Sequence, residues 1–399
     1  MIQNNQAQAA QEEQVPAAVP AVSADFDRDV HCILGLPFDR VSVEQAADRL
    51  RIAARDGHRC FFSTPNLNFA IACMHDPAFR HSVIQSDLSI ADGMPLIWIA
   101  RALGIPLHER VAGSSLFQAL RLADARRPAA RLERPLKVYF FGGPPGVAEA
   151  ASIRLNAEQS QMRCVGFNSP GFGSVAQMSD AKSIEQINRS GADFLVVALG
   201  AKKGQEWIRY NLPALQVPLV SHLGAVINFV AGTVSRAPGW LQKCGLEWVW
   251  RIKEEPKLWR RYWDDGAALL QLLATRVVPA MLARRKRPAK PEFDRAALTV
   301  RDEGDRIVLV LSGAWGEENI DRLRPALKQL AASPAILAYI DLAATDFVDS
   351  AVLALLMLLQ GDCMDKARSL QLANLSPALR RLLRWHCAEY LVEPAGRAD

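Results

Sequence analysis

The feature that most constrains the fold is a repeated alternation, between residues 30 and 235, of short apolar runs with helix-length amphipathic segments. Near-continuous apolar strands alternating with helices predict a parallel sheet covered on both faces, a Rossmann-like α/β fold. In such sheets ligands bind beyond the carboxyl ends of the strands, so residues that follow each run are site candidates. The runs are VHCIL (30–34), RCFFST (59–64), LSIAD (88–92), KVYFFGG (137–143), DFLVVALG (193–200) and PLVSHLG (218–224).

A second region of strand–helix alternation follows the first. Its strand-like runs are ALTVRDEG, DRIVLVLSG and AILAYIDLA, separated by helical segments. A chain of 399 residues is long enough for two domains of ordinary size. The sequence predicts a disordered Gln/Ala/Pro-rich tail at 1–27, a first α/β domain at 28–262, an amphipathic and basic linker at 263–291 and a small α/β domain at 292–399.

Composition excludes several classes of protein. The net charge of +5 is too small for a dedicated nucleic-acid binder. The seven cysteines are scattered without a CxxC pair, which predicts a reducing cytoplasm and no disulfide framework. The N-terminal residues include no apolar segment of the kind found in signal peptides, so none is expected. The histidines show no metal-ligand spacing. The glycine fingerprint of a nicotinamide dehydrogenase is missing, and DxD strings within 25–29 are interpreted as accidental because they begin in the predicted tail.

Positive charge is concentrated in one segment. Residues 236–290 contain 13 Lys and Arg against 5 Asp and Glu, a balance of +8. Within it, the apolar stretch 266–283 is interrupted by Arg276 and Pro279 and followed by the basic run 284–287. A central arginine is costly in a bilayer, so an interfacial helix with a basic flank fits better than a membrane span. The alternative is an inter-domain helix followed by a solvated charge run.

Two strand ends carry candidate chemistry. Asp92 ends the LSIAD run and precedes a glycine, a position where partial burial would raise the carboxyl pKa and make a general base. The alternative is that Asp92-Gly93 is only a turn. The glycine-rich turn 142–146 could present backbone amides to a diphosphate, although it is neither a P-loop nor GxGxxG.

Motifs in order over about 230 residues carry a resemblance to a known family. They are TPNLN (64–68), ADGMPLIWIARALG (91–104), ERVAGSSLF (109–117), FFGGPPG (140–146), the KKGQE turn (202–206) and RAPGWLQKCGLEWVWRIKEEPKLWRRY (236–262). In these motifs the chain resembles the WecG/TagA/CpsF glycosyltransferases, which form glycosyltransferase family 26. The resemblance implies an inverting, metal-independent enzyme without cofactors. Such an enzyme moves a sugar from a UDP-sugar to a polyprenyl-diphosphate-linked sugar at the inner face of the cytoplasmic membrane.

The resemblance also implies roles for particular residues. Asp92 matches the family's proposed general base, Thr64 and Asn66 match the polar positions beside it, and Arg110 matches the arginine of the ERVAG motif. With no metal, fixed positive charge would stabilise the departing UDP. The basic appendage at 236–262 would close over the diphosphate. The expected donor and diphosphate contacts are Gly142, Gly143, Gly200, Lys203, Gln205, Glu206, Arg236, Arg251, Arg260 and Arg261.

The chain departs from the family pattern at two places. The family turn usually has Pro-Lys before Gln-Glu, whereas Lys202 replaces the proline here and Gly204 intervenes. The family often has an aspartate where this chain has Asn228. Both departures concern contacts to the donor sugar, which stays open among UDP-N-acetylmannosamine, its uronic acid and UDP-glucose.

The second domain resembles a STAS domain in AYIDLAATDFVDSAVLALLMLL (338–359) and LQLANLSPALRRLL (370–383). Partner-switching members carry Asp-Ser-Ser-Gly and are phosphorylated on the second serine, where this chain has Ala351. Ser350 is therefore the candidate switch residue, with a helix N-cap as the favoured interpretation of its role. The domain could still dock a protein partner or sense a small ligand, because neither role needs the missing serine.

The complete hypothesis is a peripheral membrane glycosyltransferase of bacterial polysaccharide assembly with a STAS module. Its expected partners are a UDP-sugar, a polyprenyl-diphosphate-linked sugar and the anionic membrane surface, with no nucleic acid. The alternative is a catalytically degenerate scaffold that binds nucleotide-sugar at the membrane and signals through STAS.

Overall fold

The computed structural model describes residues 24–122, 133–243 and 245–392. Most of the predicted tail, residues 1–23, therefore lies outside the described residues. The strands in chain order are β1 Val30–Ile33, β2 Leu36–Asp39, β3 Cys60–Ser63, β4 Leu88–Ser89, β5 Leu136–Gly142, β6 Met162–Asn168, β7 Phe194–Ala198, β8 Leu219–His222, β9 Ala297–Asp302, β10 Arg306–Trp315, β11 Leu337–Val348 and β12 Ser369–Ala373.

Helices cover both faces of the larger sheet and flank the smaller one. They are α1 Val43–Asp56, α2 Leu67–His75, α3 Pro77–Ile84, α4 Met94–Leu103, α5 Gly113–Arg121, α6 Val147–Ala157, α7 Ala181–Arg189, α8 Ala201–Asn211, α9 Gly224–Ala231, α10 Gly239–Lys243, α11 Glu247–Glu254, α12 Trp259–Leu272, α13 Val278–Ala283, α14 Lys290–Asp294, α15 Ile320–Ala332, α16 Ser350–Asp365 and α17 Pro377–Trp385.

The first domain is built on a six-stranded parallel sheet in the order β4-β3-β8-β7-β5-β6. Neighbouring residues of its strands alternate between two buried clusters: Phe62 and Val196 face one helical layer, and Phe61 and Val197 face the other. This period of two explains why the strands read as continuous apolar runs, since both faces are covered. The predicted Rossmann-like α/β class is confirmed.

Three strands of this domain, β1, β2 and β6, differ from the sequence prediction. The first apolar run does not join the sheet; β1 pairs antiparallel with β2 in a separate hairpin. The turn at Leu34-Gly35 has positive φ at both residues, which favours a tight hairpin over a crossover. At the other edge, β6 was not predicted, because several of its residues are exposed and its apolar pattern is weak.

The second domain contains a four-stranded mixed sheet in the order β12-β11-β10-β9. Strands β10, β11 and β12 are parallel, and β9 is antiparallel to β10. Its predicted strands and helices are all present, and β12 is an additional edge strand. Helix α16 is apolar on every side, and 13 of its 16 residues are buried.

Residues 24–27, assigned to the disordered tail, are ordered in the structure. Phe26 is buried in the core of the second domain, and the Asp27 carboxylate lies 2.6 Å from Lys328 Nζ. The predicted disorder is therefore wrong for the residues in which the DxD strings begin. Asp27 and the following Asp29, which pairs with Arg40, both form ion pairs within the chain.

The linker predicted at 263–291 is mostly one helical segment that begins before it. Helix α12, a π-helical turn at Leu273–Val277 and α13 follow without a break. Pro279 explains the π-helical turn, because it lacks an N–H and its ring crowds the carbonyl four residues earlier. This segment packs on α2 and α4 of the first domain and on α17 of the second.

Candidate active site

The loops after β3 and β4 form the first part of the site. These strands are parallel neighbours, so Thr64 and Asp92 emerge at the same edge of the sheet. The Asp92 N–H donates to the Pro65 carbonyl at 2.9 Å, which joins the two loops. Thr64 is buried, whereas Asn66 caps α2 by accepting from Phe69 N at 3.1 Å. The structure therefore brings Thr64 and Asp92 together, and it uses the Asn66 side-chain oxygen for helix capping.

Asp92 has the environment of a general base. Burial raises the pKa of its carboxyl group to about 6, while Arg110 and the Gly113 N–H partly oppose that rise. Gly113 is the first residue of α5, and its N–H donates to Asp92 Oδ2 at 3.2 Å. A methyl group added at Gly113 would lie 2.7 Å from Leu223 Cδ2, so glycine permits this approach. Asp92 is ionised at neutral pH but basic enough to accept a proton.

An ion pair between distant motifs lies beside Asp92. Arg110 Nη1 is 2.8 Å from Glu247 Oε2, and both side chains are mostly buried. Arg110 favours the charged form of Asp92, and Glu247 disfavours it. Sequence reasoning named Arg110 but missed Glu247, although Glu247 stands inside the quoted GLEW motif. The sequence did contain one signal for Glu247: it is a carboxylate within a strongly basic segment, and such a residue is expected to pair with a cation.

Two further cations of the basic appendage, Arg236 and Arg251, interact electrostatically with Asp92. Arg236 Nη2 donates to Ser114 Oγ and Ser115 Oγ, each at 3.2 Å, and burial lowers the pKa of Arg236. Its Nε is buried without a hydrogen-bond partner among the described residues. Arg251 is 5.3 Å from the ring centroid of Phe229, and its charge contributes to the field at Asp92.

Arg260 and Arg261 are placed differently from those two arginines. Both are exposed on α12, with their guanidinium groups 5.6 Å and 5.9 Å from the ring centroids of the aromatic residues beside them. The same helix is tied to the site by Asp265, which accepts from Asn68 Nδ2 at 2.9 Å. Asn68 belongs to the TPNLN motif but was not among the predicted site residues.

The predicted donor-binding glycines lie at the ends of β5 and β7, at the same edge of the sheet. Gly142 has φ +95°, and a methyl group there would lie 2.7 Å from the Ala198 carbonyl oxygen. The Gly143 N–H donates to that same oxygen at 2.8 Å, so this amide is already used. Gly200 caps α8 and is exposed. Their contact with a donor stays a prediction.

Residues 202–206, predicted as a turn, lie within helix α8, and three of their side chains have partners within the protein. Lys202 forms an ion pair with Asp76, and Lys203 Nζ donates to the Gly173 carbonyl at 2.9 Å. Gln205 is fully buried, and its Nε2 donates to Ser63 Oγ at 3.1 Å. Glu206 is exposed. Gln205 therefore supports β3 in this structure, and the donor-binding roles of Lys203, Gln205 and Glu206 stay predictions.

His222 explains the unusual glycine in this segment. A methyl group at Gly204 would lie 2.2 Å from His222 Cδ2, and one at Gly224 would lie 3.1 Å from His222 Nε2. The imidazole fills the space beside both helix starts, and burial lowers the pKa of His222 to about 4. His222 stands at the end of β8, and sequence reasoning did not single it out.

The second predicted site lies at the start of α16. Asp349, not Ser350, is the N-cap, because its Oδ1 accepts from Ala351 N at 2.9 Å and Val352 N at 3.1 Å. Ser350 is the first residue of the helix and is only 8% exposed. Its hydroxyl lies 3.2 Å from His31 Nδ1 in the β1–β2 hairpin. The N-cap interpretation of Ser350 is therefore wrong.

Among the residues that the structure describes, no group of three or more His, Cys, Asp or Glu side chains is arranged to hold a metal ion. The cations around Asp92 are instead arginine side chains.

Comparison with known proteins assigns both domains. Residues 31–281 match the model of the glycosyl transferase WecG/TagA/CpsF family. This match covers more than half of the chain, so the protein is a glycosyltransferase. It belongs to the WecG/TagA/CpsF family. Residues 298–389 match a model described as "Mlab, STAS domain", so the second domain is a STAS domain.

Similar curated proteins share one name, N-acetylglucosaminyldiphosphoundecaprenol N-acetyl-beta-D-mannosaminyltransferase. The one from Bacillus spizizenii is 25% identical over 235 residues, 58% of this chain and 82% of the relative. The one from Bacillus subtilis is 27% identical over 201 residues, 50% of this chain and 73% of the relative. The one from Staphylococcus aureus strain MW2 is 23% identical over 232 residues, which are 57% of this chain and 85% of the relative.

Proposed function

We propose that this glycosyltransferase moves a sugar from a UDP-sugar to a polyprenyl-diphosphate-linked sugar. The observation that carries the proposal is Asp92, a carboxylate with a raised pKa beside the Arg110–Glu247 pair at the carboxyl edge of the sheet. The names of the relatives support an acceptor that ends in N-acetylglucosamine and a donor of N-acetylmannosamine. The uronic acid of that sugar and glucose remain alternative donors.

The chemistry that we propose is a single displacement with inversion. Asp92 takes the proton from the acceptor hydroxyl as its oxygen attacks the anomeric carbon. The bond from that carbon to the UDP oxygen breaks on the opposite side, and UDP leaves with the bonding pair. A positioned base contributes about 10²–10⁴-fold to such a step. Arg236 and Arg251 are the fixed charges that we assign to the departing diphosphate, which requires no metal in this scheme.

We further propose that the enzyme lies on the inner face of the cytoplasmic membrane. The helical segment Pro256–Lys286 is long and apolar enough to cross a membrane, by length and composition alone, and 11% of its most apolar 18-residue stretch is buried. Trp263 is 74% exposed and Leu270 is 70% exposed. Tryptophan with leucine on one face and a basic run behind it suits the interface of an anionic bilayer.

The internal contacts of this helix support lying on the membrane rather than spanning it. Arg276 forms an ion pair with Glu389 and donates to the Arg384 carbonyl at 2.6 Å. Asp265 is bonded to Asn68 of the first domain. Crossing the bilayer would break these contacts and would place Arg276 in hydrocarbon, where an unpaired charge is expensive. Vesicles with anionic lipid should therefore retain the protein, and neutral vesicles should retain less of it.

The deciding experiment measures UDP release from a panel of UDP-sugars with a synthetic polyprenyl-diphosphate-N-acetylglucosamine acceptor. We expect release that depends on the acceptor and on one donor, and loss of that release in Asp92→Asn. If the folded protein binds UDP but releases none from any donor, the proposed activity is wrong.

One observation favours a second candidate, a scaffold that binds nucleotide-sugar without turnover. The side chains of Lys202, Lys203 and Gln205 in the altered segment are all engaged within the protein. Binding of UDP without release of UDP in the panel would favour this scaffold.

A further inference from the structure

Helix α16 of the STAS domain is covered on its outer face by the transferase domain. A helix that is apolar all round needs cover on every side. The STAS sheet covers one side of α16, while β1, β2 and α3 cover the other. The packing of α16 on α3 is close: a methyl group added at Gly361 would lie 2.8 Å from Ile84 Cγ2. The two domains therefore share one continuous apolar core, which includes Phe26 and Val30.

Polar contacts join the same surfaces at both ends of α16. At its start, the Ser350 hydroxyl meets His31 Nδ1 at 3.2 Å. At its end, Asp365 Oδ1 lies 3.0 Å from His81 Nε2, and Asp362 Oδ1 accepts from Ala24 N at 3.1 Å. These contacts fix the position of the helix along the transferase surface, which apolar packing alone does not.

From this surface, a chain of buried contacts leads to the strand before Asp92. Arg28, which precedes β1, pairs with Asp39 at the end of β2 at 2.6 Å, and both side chains are buried. Arg28 Nη1 donates to the Ser86 carbonyl at 2.8 Å, and Asp39 Oδ2 accepts from Ser89 N at 2.7 Å. Ser89 ends β4, three residues before Asp92.

We propose that the STAS domain is an internal support for the catalytic strand. Its helix α16 has the transferase's own residues 24–39 and helix α3 as its docking partner. That docked surface holds β4, through Arg28 and Asp39, in the position that aims Asp92. The outer face of α16 and the Ser350 hydroxyl are consequently occupied within the chain, and a separate STAS partner or a kinase reaches them only after the domains separate.

The proposal makes Gly361 a positioning residue with a defined rescue. Gly361→Ala adds a methyl group against Ile84 Cγ2 and should push α16 away from α3. Ile84→Ala removes that γ-methyl group, and its remaining Cβ lies 3.9 Å from the added one. The double variant should therefore restore docking. Ile336→Ala is the matched control, because Ile336 is 70% exposed on the STAS domain.

The test measures hydrogen–deuterium exchange of residues 86–92 and turnover, both in the full-length chain. Gly361→Ala should speed exchange in 86–92 and reduce kcat by up to about 100-fold, with little change in the donor KM, as for a displaced reacting group. The double variant should reverse both effects, and Ile336→Ala should show neither.

Two outcomes would overturn the support role. One is faster exchange confined to α16 and the hairpin, with 86–92 and kcat unchanged. The other is a double variant that stays as impaired as Gly361→Ala. Only the kcat measurement rests on the proposed function: absence of turnover in the wild type refutes that function, while the exchange experiment still tests the support.

A milder variant covers the case in which Gly361→Ala does not fold. Asp365→Ala removes the carboxylate that contacts His81 and Gln85 without crowding the interface. It should speed exchange in 86–92 in the same direction, whereas Asp346→Ala, an exposed carboxylate of β11, should not. Equal exchange in the two aspartate variants would overturn the proposal.

Discussion

Asp92 and Asp349 occupy the same kind of position in two unrelated domains. Each follows a parallel strand and precedes a helix, and burial raises the pKa of each carboxyl group. They differ in how their oxygens are used. Asp349 accepts from Ala351 N and Val352 N with one oxygen, and from Glu317 N at 2.8 Å with the other, close to Arg287. Among the residues that the structure describes, Asp92 accepts one side-chain hydrogen bond, from Gly113 N.

This difference separates a structural carboxylate from a reactive one. A carboxylate whose lone pairs are occupied by backbone N–H groups stabilises a helix start and has little acceptor capacity left for a substrate hydroxyl. Asp92 keeps acceptor capacity, and the neighbouring arginines supply positive charge for a leaving group. A carboxylate that follows a strand is thus a candidate catalytic residue. Whether it acts as a base depends on the hydrogen-bonding capacity that its oxygens retain.

The largest expected effect comes from Asp92→Asn, which should reduce turnover by about 10²–10⁴-fold. The folded-state pKa lies above that of an unfolded aspartate, so ionisation of Asp92 costs folding free energy as the pH rises from about 4 to about 6. Asparagine does not ionise, and the variant should melt at the wild-type temperature or higher at neutral pH. Turnover is measured by UDP release and the melting temperature by thermal unfolding. A near-normal kcat in Asp92→Asn would show that Asp92 is not the base.

Asp349→Ala should show the opposite pattern. Loss of an N-cap lowers the free energy of unfolding by about 0.5–2 kcal/mol. The midpoint of the acid limb of kcat/KM should stay where it is, because Asp349 takes no proton from the acceptor. Denaturant unfolding and a pH profile test both points. A stable variant with a displaced acid limb would contradict this contrast between the two carboxylates.

The pH dependence of kcat/KM should also test how the Arg110–Glu247 ion pair affects Asp92. In the wild type, kcat/KM should fall as the pH drops below about 6, because protonated Asp92 cannot act as the base. Glu247→Gln removes a negative neighbour and should move this limb to lower pH. Arg110→Gln removes a positive neighbour and should move it to higher pH. Shifts in the same direction would show that the two charges do not act on Asp92 as described.

The smallest expected effect is that of Ser350→Ala. It removes the contact with His31 and should lower the free energy of unfolding by about 0.5–1.5 kcal/mol, as for one internal hydrogen bond. Mass spectrometry of the folded wild type after kinase treatment should find Ser350 unmodified. Rapid modification of Ser350 in the docked, folded chain would contradict its burial.

Much of the fold could be predicted because local pattern determines it. The alternation of apolar runs with helices identified five of the six parallel strands. Helix α1, Val43–Asp56, is another element that local signals determine. Its ends follow from Ser42, which forms a capping box with Gln45, and from Gly57 with φ +68°. The first run was assigned to the wrong sheet, because a β-strand pattern does not specify its partner.

The candidate site was predicted only in part. Asp92, Thr64 and Arg110 were identified, while Glu247 and His222 were not. Glu247 reaches the site from 137 residues beyond Arg110, and His222 becomes important only because Gly204 and Gly224 lie against its ring. Long-range partners of this kind leave no local pattern, so the sequence offered no spacing from which to find them.

By itself, the sequence determined the class of fold, the family and the strand ends that carry the candidate base, because period, turn residues and motifs are local properties. Helix α16 is apolar on every side. Only the tertiary structure decided what covers that helix, which carboxylate is consumed by capping and which charges surround Asp92. Burial and pairing arise between segments far apart in the chain, and these fix a side chain's pKa and its free hydrogen-bonding capacity.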